Sequence, residues 1–252
     1  IQFLLDTCSS IGSLLNFIFM GDNMVKVLSV GGSIVVPGEP DTEFLTSFIG
    51  MVKEWLKEDS TRKLILVVGG GAPARVYQNA YKKITENDPN VSSDQADWIG
   101  IMATRLNAQL LKASFGNLCP QDVVYDPTIV EEFSGRILVA AGWKPGFSTD
   151  YDAVLLAERF AAKTVVNLSN IEKVYTDDPR KNPDAKPLDS ISWDDFRKMV
   201  GDEWTPGKNC PFDPIASKRA ASNGISVICA GGKNIENIRN ILDDKDFIGT
   251  KI

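Results

Sequence analysis

Hydrophobic residues along the chain alternate between short continuous runs and segments with helical spacing. Continuous runs of β-branched and aliphatic residues are typical of strands covered on both faces. Such runs occupy residues 25–30, 63–68, 122–125, 136–142, 163–169 and 225–232. Apolar residues spaced by three or four positions predict helices at 44–58, 73–84, 97–113, 194–200, 214–223 and 235–242, and another after the turn at 142–148. These repeated strand–glycine–helix units predict an α/β fold with a mainly parallel sheet.

The chain is predicted to form one domain over residues 24–252. The stretch from Asp177 to Leu188, rich in proline and charge, is interpreted as a long loop rather than a linker. Residues 1–23 are apolar, but their longest uncharged run, Thr7 to Gly21, is short for a membrane span, and they lack the basic start of a secretory signal. We expect them to be an extension before a natural start at Met24. The alternatives are a membrane-associating tail and an oligomer contact.

The charge and composition of the chain exclude several classes of protein. The net charge is −6 and no stretch concentrates lysine and arginine, so no nucleic-acid partner is expected. Four cysteines lie far apart, which argues against a zinc site and favours a reducing compartment such as the cytoplasm. The absence of histidine excludes Ser-His-Asp catalysis and histidine-bound metals. We therefore expect chemistry based on carboxylates, cations, hydroxyls and backbone amides, without a dedicated cluster of metal-binding side chains.

Three predicted strands end in glycine-rich turns: Gly31-Gly32-Ser33, Gly69-Gly70-Gly71 and Gly142 to Gly146. Tight turns in any α/β protein need glycine, so one such turn alone carries no functional weight. In a parallel sheet, however, the turns meet at the carboxyl ends of the strands, where helix N-termini offer N–H groups to phosphate. GxxxxGK[ST] and GxGxxG are absent. The turns therefore predict a phosphate-binding crevice of neither the Walker-A nor the dinucleotide type.

Two hydroxyls and a carboxylate, Ser148, Thr149 and Asp150, follow the third turn at the predicted start of a helix. Asp150 has two interpretations. It is a cap that satisfies free N–H groups at the helix start, or it acts on an anion bound in front of the helix. The spacing of these residues leaves both interpretations open.

Five motifs carry a resemblance to a known family: VGGSIVVP, VVGGGAPARVY, DWIGIMATRLNAQLL, GWKPGFSTDYDAVLLAE and VYTDDPRKNPDAKPLDSI, in that order. In sequence and separation they resemble the uridylate (UMP) kinases of the amino-acid kinase superfamily, most closely the archaeal type. The resemblance covers residues 24–252. It implies a three-layer αβα sandwich, ATP-dependent phosphorylation of UMP to UDP in pyrimidine biosynthesis, Mg²⁺ as cofactor and a cytoplasmic homohexamer.

The resemblance also implies which residues bind the two substrates. The implied ATP-binding residues are Gly32, Ser33, Gly71, Arg75, Ser169, Asn170, Tyr175 and Asp178. The implied UMP-binding residues are Gly70, Asp97, Trp143, Lys144, Pro145, Gly146, Phe147, Ser148 and Thr149. In this comparison Asp97 holds the ribose of UMP, on a helix whose apolar positions 98, 99, 101, 102 and 106 are expected to pack inward. Tyr175 lies near the adenine.

The resemblance implies Asp150 and Arg75 as catalytic residues, and Lys173, which departs from the family pattern, is a further catalytic candidate. Asp150 acts at the transfer site, and Arg75 contacts a phosphate. The acceptor phosphate of UMP is already ionised near neutral pH because its second pKa is about 6, so no general base is required. Catalysis then consists of positioning and charge neutralisation.

The sequence departs from the family at several positions. Ser29 stands where many members have a lysine, and Asn170 stands where bacterial uridylate kinases have a second one. Phe147 stands where the archaeal branch often has histidine. Glu172-Lys173 replaces the usual Asp-Gly, so Lys173 is one candidate for the missing cation. Further candidates are Lys144 and Lys218.

The residues alone also allow other functions on the same fold. An isopentenyl phosphate kinase of the same superfamily holds its acceptor phosphate with a histidine, which this chain lacks. Members that phosphorylate amino acids lack the ribose contact at the position of Asp97. A non-catalytic nucleotide-binding or storage protein on the same fold would bind ATP without transferring its phosphate.

Overall fold

The computed structural model describes residues 25–88, 90–201, 203 and 210–252. The expected extension over residues 1–23 and the start at Met24 lie outside these residues. Among the helices of the described residues, none combines the length and the apolar character that crossing a membrane requires.

The helices and strands follow the predicted pattern closely. The strands of the described residues are β1 (Val25–Val30), β2 (Lys63–Val68), β3 (Ile137–Ala140), β4 (Thr164–Ser169), β5 (Val174–Tyr175), β6 (Pro187–Leu188), β7 (Ser226–Gly231) and β8 (Thr250–Lys251). The helices are α1 (Gly32–Val35), α2 (Thr42–Glu58), α3 (Gly71–Ile84), α4 (Ser93–Phe115), α5 (Thr149–Arg159), α6 (Trp193–Val200), α7 (Pro214–Ser222) and α8 (Ile235–Leu242). The short helix α1 and the strands β5, β6 and β8 were not predicted.

The main sheet has the strand order β3-β2-β1-β4-β7-β8. All neighbours pair in parallel except β7 and β8, which are antiparallel. Strands β5 and β6 form a separate antiparallel ribbon. The prediction of a mainly parallel sheet is confirmed.

Helices cover both faces of the sheet. Because successive residues of a strand point to opposite faces, β1 contributes to two cores. Leu28 and Val30 pack with residues of α2, α4 and α8. Val25 and Val27 pack with residues of α5, α6 and α7. The result is a three-layer αβα sandwich, as the resemblance implied.

The predicted strand at 122–125 is wrong. Only Val124 pairs, in an isolated parallel bridge with Ala140 of β3. Prolines at positions 120 and 127 flank this short segment, and a proline lacks the N–H that continued pairing needs. The predicted long loop at 177–188 is correct up to its last residues, which form β6.

The face of α4 expected to pack inward is also different. Trp98, Met102 and Leu106 are 39%, 59% and 69% exposed, whereas Ile101 is buried. The buried face of α4 consists largely of small and polar residues: Ala96, Gly100, Ile101, Thr104, Asn107, Ala108, Leu111 and Phe115. Large apolar residues were taken as the packing face, but the close approach of α3 and of the glycine turns favours small ones.

Candidate active site

The turns after β1 and β2 pack backbone against backbone. A Cβ atom on Gly32 would lie 2.0 Å from the amide nitrogen of Gly71, and one on Gly69 would lie 2.4 Å from that of Gly32. Gly71 also has φ of +65°, in the left-handed region that favours glycine. Glycine is therefore required where these turns meet at the carboxyl edge of the sheet.

Two buried polar residues of α4 connect the second and third glycine turns. The Asn107 side-chain amide donates to the carbonyls of Gly69 and Gly70, at 2.9 and 3.1 Å. The Thr104 hydroxyl accepts from the amide of Gly142 at 2.8 Å. Helix α4 thus holds the second and third turns together, and the first turn packs against the second. Thr104 and Asn107 were not predicted, although polar residues three positions apart on a buried helix face are a recognisable signal.

The turns after β1 and β4 are joined on the predicted ATP side. The Asn170 amide donates to the Ser33 hydroxyl at 2.9 Å, and the Ser169 hydroxyl accepts from the backbone amide of Ile171 at 3.3 Å. Tyr175 lies in β5, and Asp178 forms an ion pair with Arg180 just beyond it. No hydrogen bond among the described residues links the Tyr175 or Asp178 side chains to the Ser33–Asn170 pair.

Asp150 does not cap α5. The N-cap is Ser148, whose hydroxyl accepts from the amide of Tyr151 at 3.2 Å. The Asp150 carboxylate instead accepts from the hydroxyl of Ser29 at 2.9 Å and from the amide of Asp213 at 3.3 Å. The cap interpretation of Asp150 is therefore wrong, and its carboxylate links β1 to the start of α7.

Two helix starts with acidic side chains meet at this point. Asp213 caps α7 by accepting from the amide of Ala216 at 2.7 Å. Burial raises the pKa of Asp150 to about 6. The hydrogen bond from Ser29 opposes this rise, and the neighbouring Asp213 charge adds to it. Burial also raises the pKa of Asp213, whereas its hydrogen bonds with backbone amides and with the Ser148 side chain lower it. The pair can carry less negative charge near neutral pH than two exposed carboxylates would.

The loop from Trp143 to Phe147 forms the predicted UMP side of the crevice. Asp97 accepts from the amide of Gly146 at 3.3 Å, so it contacts this loop directly. The ring centroids of Trp143 and Phe147 lie 5.0 Å apart, and Lys144 Nζ lies 3.9 Å from the Trp143 ring centroid. The loop is therefore ordered by aromatic and cation–π packing of its own residues.

The predicted cations occupy different environments. Arg75 is exposed in the first turn of α3, directly after the glycine triplet, and makes no hydrogen bond or ion pair within the described residues. Lys173 pairs with Asp189, whereas Lys144 stacks on the loop rings. Arg75 and Lys144 lie beside the crevice, and the described polar contact of Lys173 is directed to Asp189.

Comparison with known proteins adds the family of the chain. Residues 24–231 match the family model described as "Amino acid kinase family". The chain belongs to the amino acid kinase family. One relative in this family, a uridylate kinase of Pyrococcus abyssi (strain GE5 / Orsay), is 34% identical over 224 residues, covering 87% of this chain and 95% of that protein. A uridylate kinase of Pyrobaculum neutrophilum is 38% identical over 195 residues, covering 75% and 85%.

A solved structure of an amino acid kinase shares the fold. The crystal structure of uridylate kinase from Archaeoglobus fulgidus matches with a TM-score of 0.75 and 32% identity, over 90% of this chain and 99% of that chain. The amino-acid kinase fold and the resemblance carried by the five motifs are thus confirmed.

Proposed function

We propose that the protein transfers the γ-phosphoryl group of ATP to UMP, forming ADP and UDP. The observation that carries this proposal is the convergence of the glycine turns and the loop from Trp143 to Phe147 at one edge of the sheet, around Thr104 and Asn107. Two of the relatives and the solved structure that share this fold are named uridylate kinases. Identity of 34% over most of both chains supports the same reaction class.

The arrangement favours phosphoryl transfer without a general base. The UMP phosphate is already a dianion above about pH 6, so it attacks as it stands. Helices α3, α5 and α7 all begin at the crevice, and their free N–H groups and dipoles stabilise negative charge there. Phosphoryl transfer needs little beyond positioning and such electrostatic stabilisation.

The donor and acceptor sites follow from the geometry and the resemblance together. We place the ATP phosphates at Gly32, Ser33 and Gly71, with Asn170 holding Ser33. We place UMP between the glycine triplet and the 143–149 loop, with its ribose at Asp97. Asp150 lies where β1, α5 and α7 meet, and it orients the groups on both sides of the transferred phosphoryl.

Mg²⁺ accompanies ATP in this proposal. Within the described residues, no group of three or more cysteine, aspartate or glutamate side chains is arranged to hold a metal ion. We assign the ion to the phosphates of ATP. When bound there, Mg²⁺ neutralises charge on the transferred group.

A panel of acceptors tests the proposed reaction against its alternatives. Release of ADP is measured with UMP, CMP, isopentenyl phosphate and acetylglutamate as separate acceptors. We expect turnover with UMP to exceed that with each of the others. Preference for isopentenyl phosphate or acetylglutamate would assign the protein to another kinase class, and binding of ATP without turnover would assign it to a storage or regulatory class.

Lys173→Ala is expected to lower kcat about ten- to a hundredfold, because loss of a hydrogen bond from a charged donor costs about 1.5–3 kcal/mol. The matched control is Asp189→Ala, which breaks the same ion pair but keeps the cation. We expect Asp189→Ala to leave kcat within twofold or to raise it. Equal, small effects of both substitutions would make Lys173 a surface residue without a catalytic role.

We also propose a homohexamer in the cytoplasm. The exposed apolar residues of α4 recur every four positions, at Trp98, Met102, Leu106 and Leu110, and form one stripe along the helix. A stripe of this kind suits pairing with the same helix of a second copy about a twofold axis.

The proposed cytoplasmic location is supported by the cysteines. The thiols of Cys119 and Cys229 are buried and suit a reducing compartment.

Residues 1–23 are proposed to be dispensable. A chain beginning at Met24 should stay soluble and keep its turnover and its oligomer mass, because β1, which leads into the first phosphate turn, begins at Val25. Light scattering and the ADP-release assay on the two chain lengths provide the comparison. Loss of folding, of turnover or of the larger assembly on truncation would show that these residues belong to the functional unit.

A further inference from the structure

Asp152 is a buried carboxyl group with an incomplete set of partners. Its side chain is fully buried in the first turn of α5, among apolar residues of the core. One oxygen, Oδ2, accepts from the backbone amide of Trp143 at 3.2 Å. The other, Oδ1, is buried and has no hydrogen-bond partner among the described residues. A buried carboxyl group satisfied on one side only is costly to keep, which points to a role beyond packing.

The contact of Asp152 fixes the first residue of the acceptor loop. Both backbone polar groups of Trp143 are hydrogen-bonded: its amide donates to Asp152, and its carbonyl accepts from Arg105 of α4 at 3.2 Å. The indole of Trp143 lies beside the Asp126 carboxylate and contributes to lowering the pKa of that group. Asp152 therefore links α5, which carries Asp150, to the start of the loop that contacts Asp97.

The surroundings of Asp152 oppose its ionisation. Burial raises the pKa of Asp152 to about 7. The charges of Asp150 and Asp126 add to this rise. Within the described part of the chain, the hydrogen bond from the Trp143 amide is the contact that opposes this rise in pKa. The charged groups that surround Asp152 and Trp143 are Asp150, Asp126, Lys144 and Arg105.

We propose that Asp152 is a positioning residue for the acceptor: its carboxyl oxygen holds the start of the 143–147 loop, and the negative charge that it gains on ionisation weakens binding of an anionic acceptor. The proposal rests on the proposed function, since it takes UMP as the acceptor. An ionised Asp152 would add a negative charge beneath the loop that receives a phosphate dianion, and like charges in a dry environment repel strongly. Binding of ATP, on the other side of the glycine turns, should respond much less.

The test compares the KM for UMP of the wild type and Asp152→Asn between about pH 6 and about pH 8.5. Asparagine keeps an oxygen that accepts from the Trp143 amide but does not ionise. We expect the wild-type KM for UMP to rise about tenfold or more over this range relative to the variant, with an inflection near the Asp152 pKa of about 7. The KM for ATP should show no such difference. Titration of UMP itself is common to both proteins and cancels in the comparison.

A second variant and a structural signal separate the possible failures. Asp152→Ala removes the acceptor of the Trp143 amide, so its KM for UMP should exceed that of Asp152→Asn several-fold at every pH while kcat changes less. The indole N–H resonance of Trp143, assigned with Trp143→Phe, should shift with pH in the wild type and not in Asp152→Asn. Parallel KM profiles of wild type and Asp152→Asn would overturn the inference, with the proposed function intact. No turnover of UMP at any pH would overturn the proposed function, and the indole titration would then decide whether Asp152 controls the loop.

Discussion

Asp150→Asn should lower kcat for UDP formation by at least about a hundredfold, while the KM values for ATP and UMP stay within a few-fold. The two carboxylate oxygens of Asp150 accept from the Ser29 hydroxyl and the Asp213 amide. Asparagine offers one acceptor, so its NH₂ group must face one of these two donors. The substitution therefore disturbs the connection between β1 and α7 at the transfer site, with little change in volume.

A matched control separates catalysis from helix capping. Ser192 caps α6, away from the glycine turns, in the same way that Ser148 caps α5. Ser192→Ala should cost about 1 kcal/mol of stability and leave kcat unchanged. A kcat for Asp150→Asn near that of the wild type would show that Asp150 has only a structural function.

Asp97→Ala should raise the KM for UMP by about ten- to a hundredfold, through loss of a charge-assisted hydrogen bond of about 1.5–3 kcal/mol. The KM for ATP should hardly change. Asp97 lies beyond the capped first turn of α4, and its carboxylate accepts from Gly146 in the acceptor loop. The same change therefore removes both a partner for the ribose and a contact that orders the loop.

Discrimination against dUMP separates these two effects. The wild type should prefer UMP to dUMP, and Asp97→Ala should lose much of that preference, because only the ribose contact depends on the 2′-hydroxyl. Asp94→Ala is the control, since Asp94 lies in the first turn of the same helix and interacts with its dipole. If Asp97→Ala still discriminates against dUMP as the wild type does, Asp97 acts only by ordering the loop and does not contact the ribose.

The sheet and its helices could be predicted because their signals are local. Continuous apolar runs such as residues 63–68 have few conformations that bury them, and the helices show apolar residues at three- and four-residue spacing. The site residues were found through the glycine turns and the resemblance. Both depend on short stretches of sequence rather than on contacts between distant residues.

The remainder of the site depends on contacts that no local pattern contains. Ser29 and Asp150 are 121 positions apart, and their hydrogen bond follows only from the way α5 packs across β1. In the sequence, Asp152 cannot be distinguished from other polar residues near helix starts. Its contact with the Trp143 amide exists only in the folded structure. The outward stripe of α4 was misjudged because apolar size predicts burial in an isolated chain, whereas an assembled protein can cover such a stripe with another copy.

The most direct test of the proposed reaction is ³¹P NMR of the protein with ATP, Mg²⁺ and UMP. The account predicts that the UMP resonance declines while the two phosphate resonances of UDP appear, with ADP formed in equal amount. No UDP should form without protein, and Asp150→Asn should form it at a rate lower by about a hundredfold. Formation of ADP and inorganic phosphate without UDP, or unchanged ATP and UMP, would contradict the account.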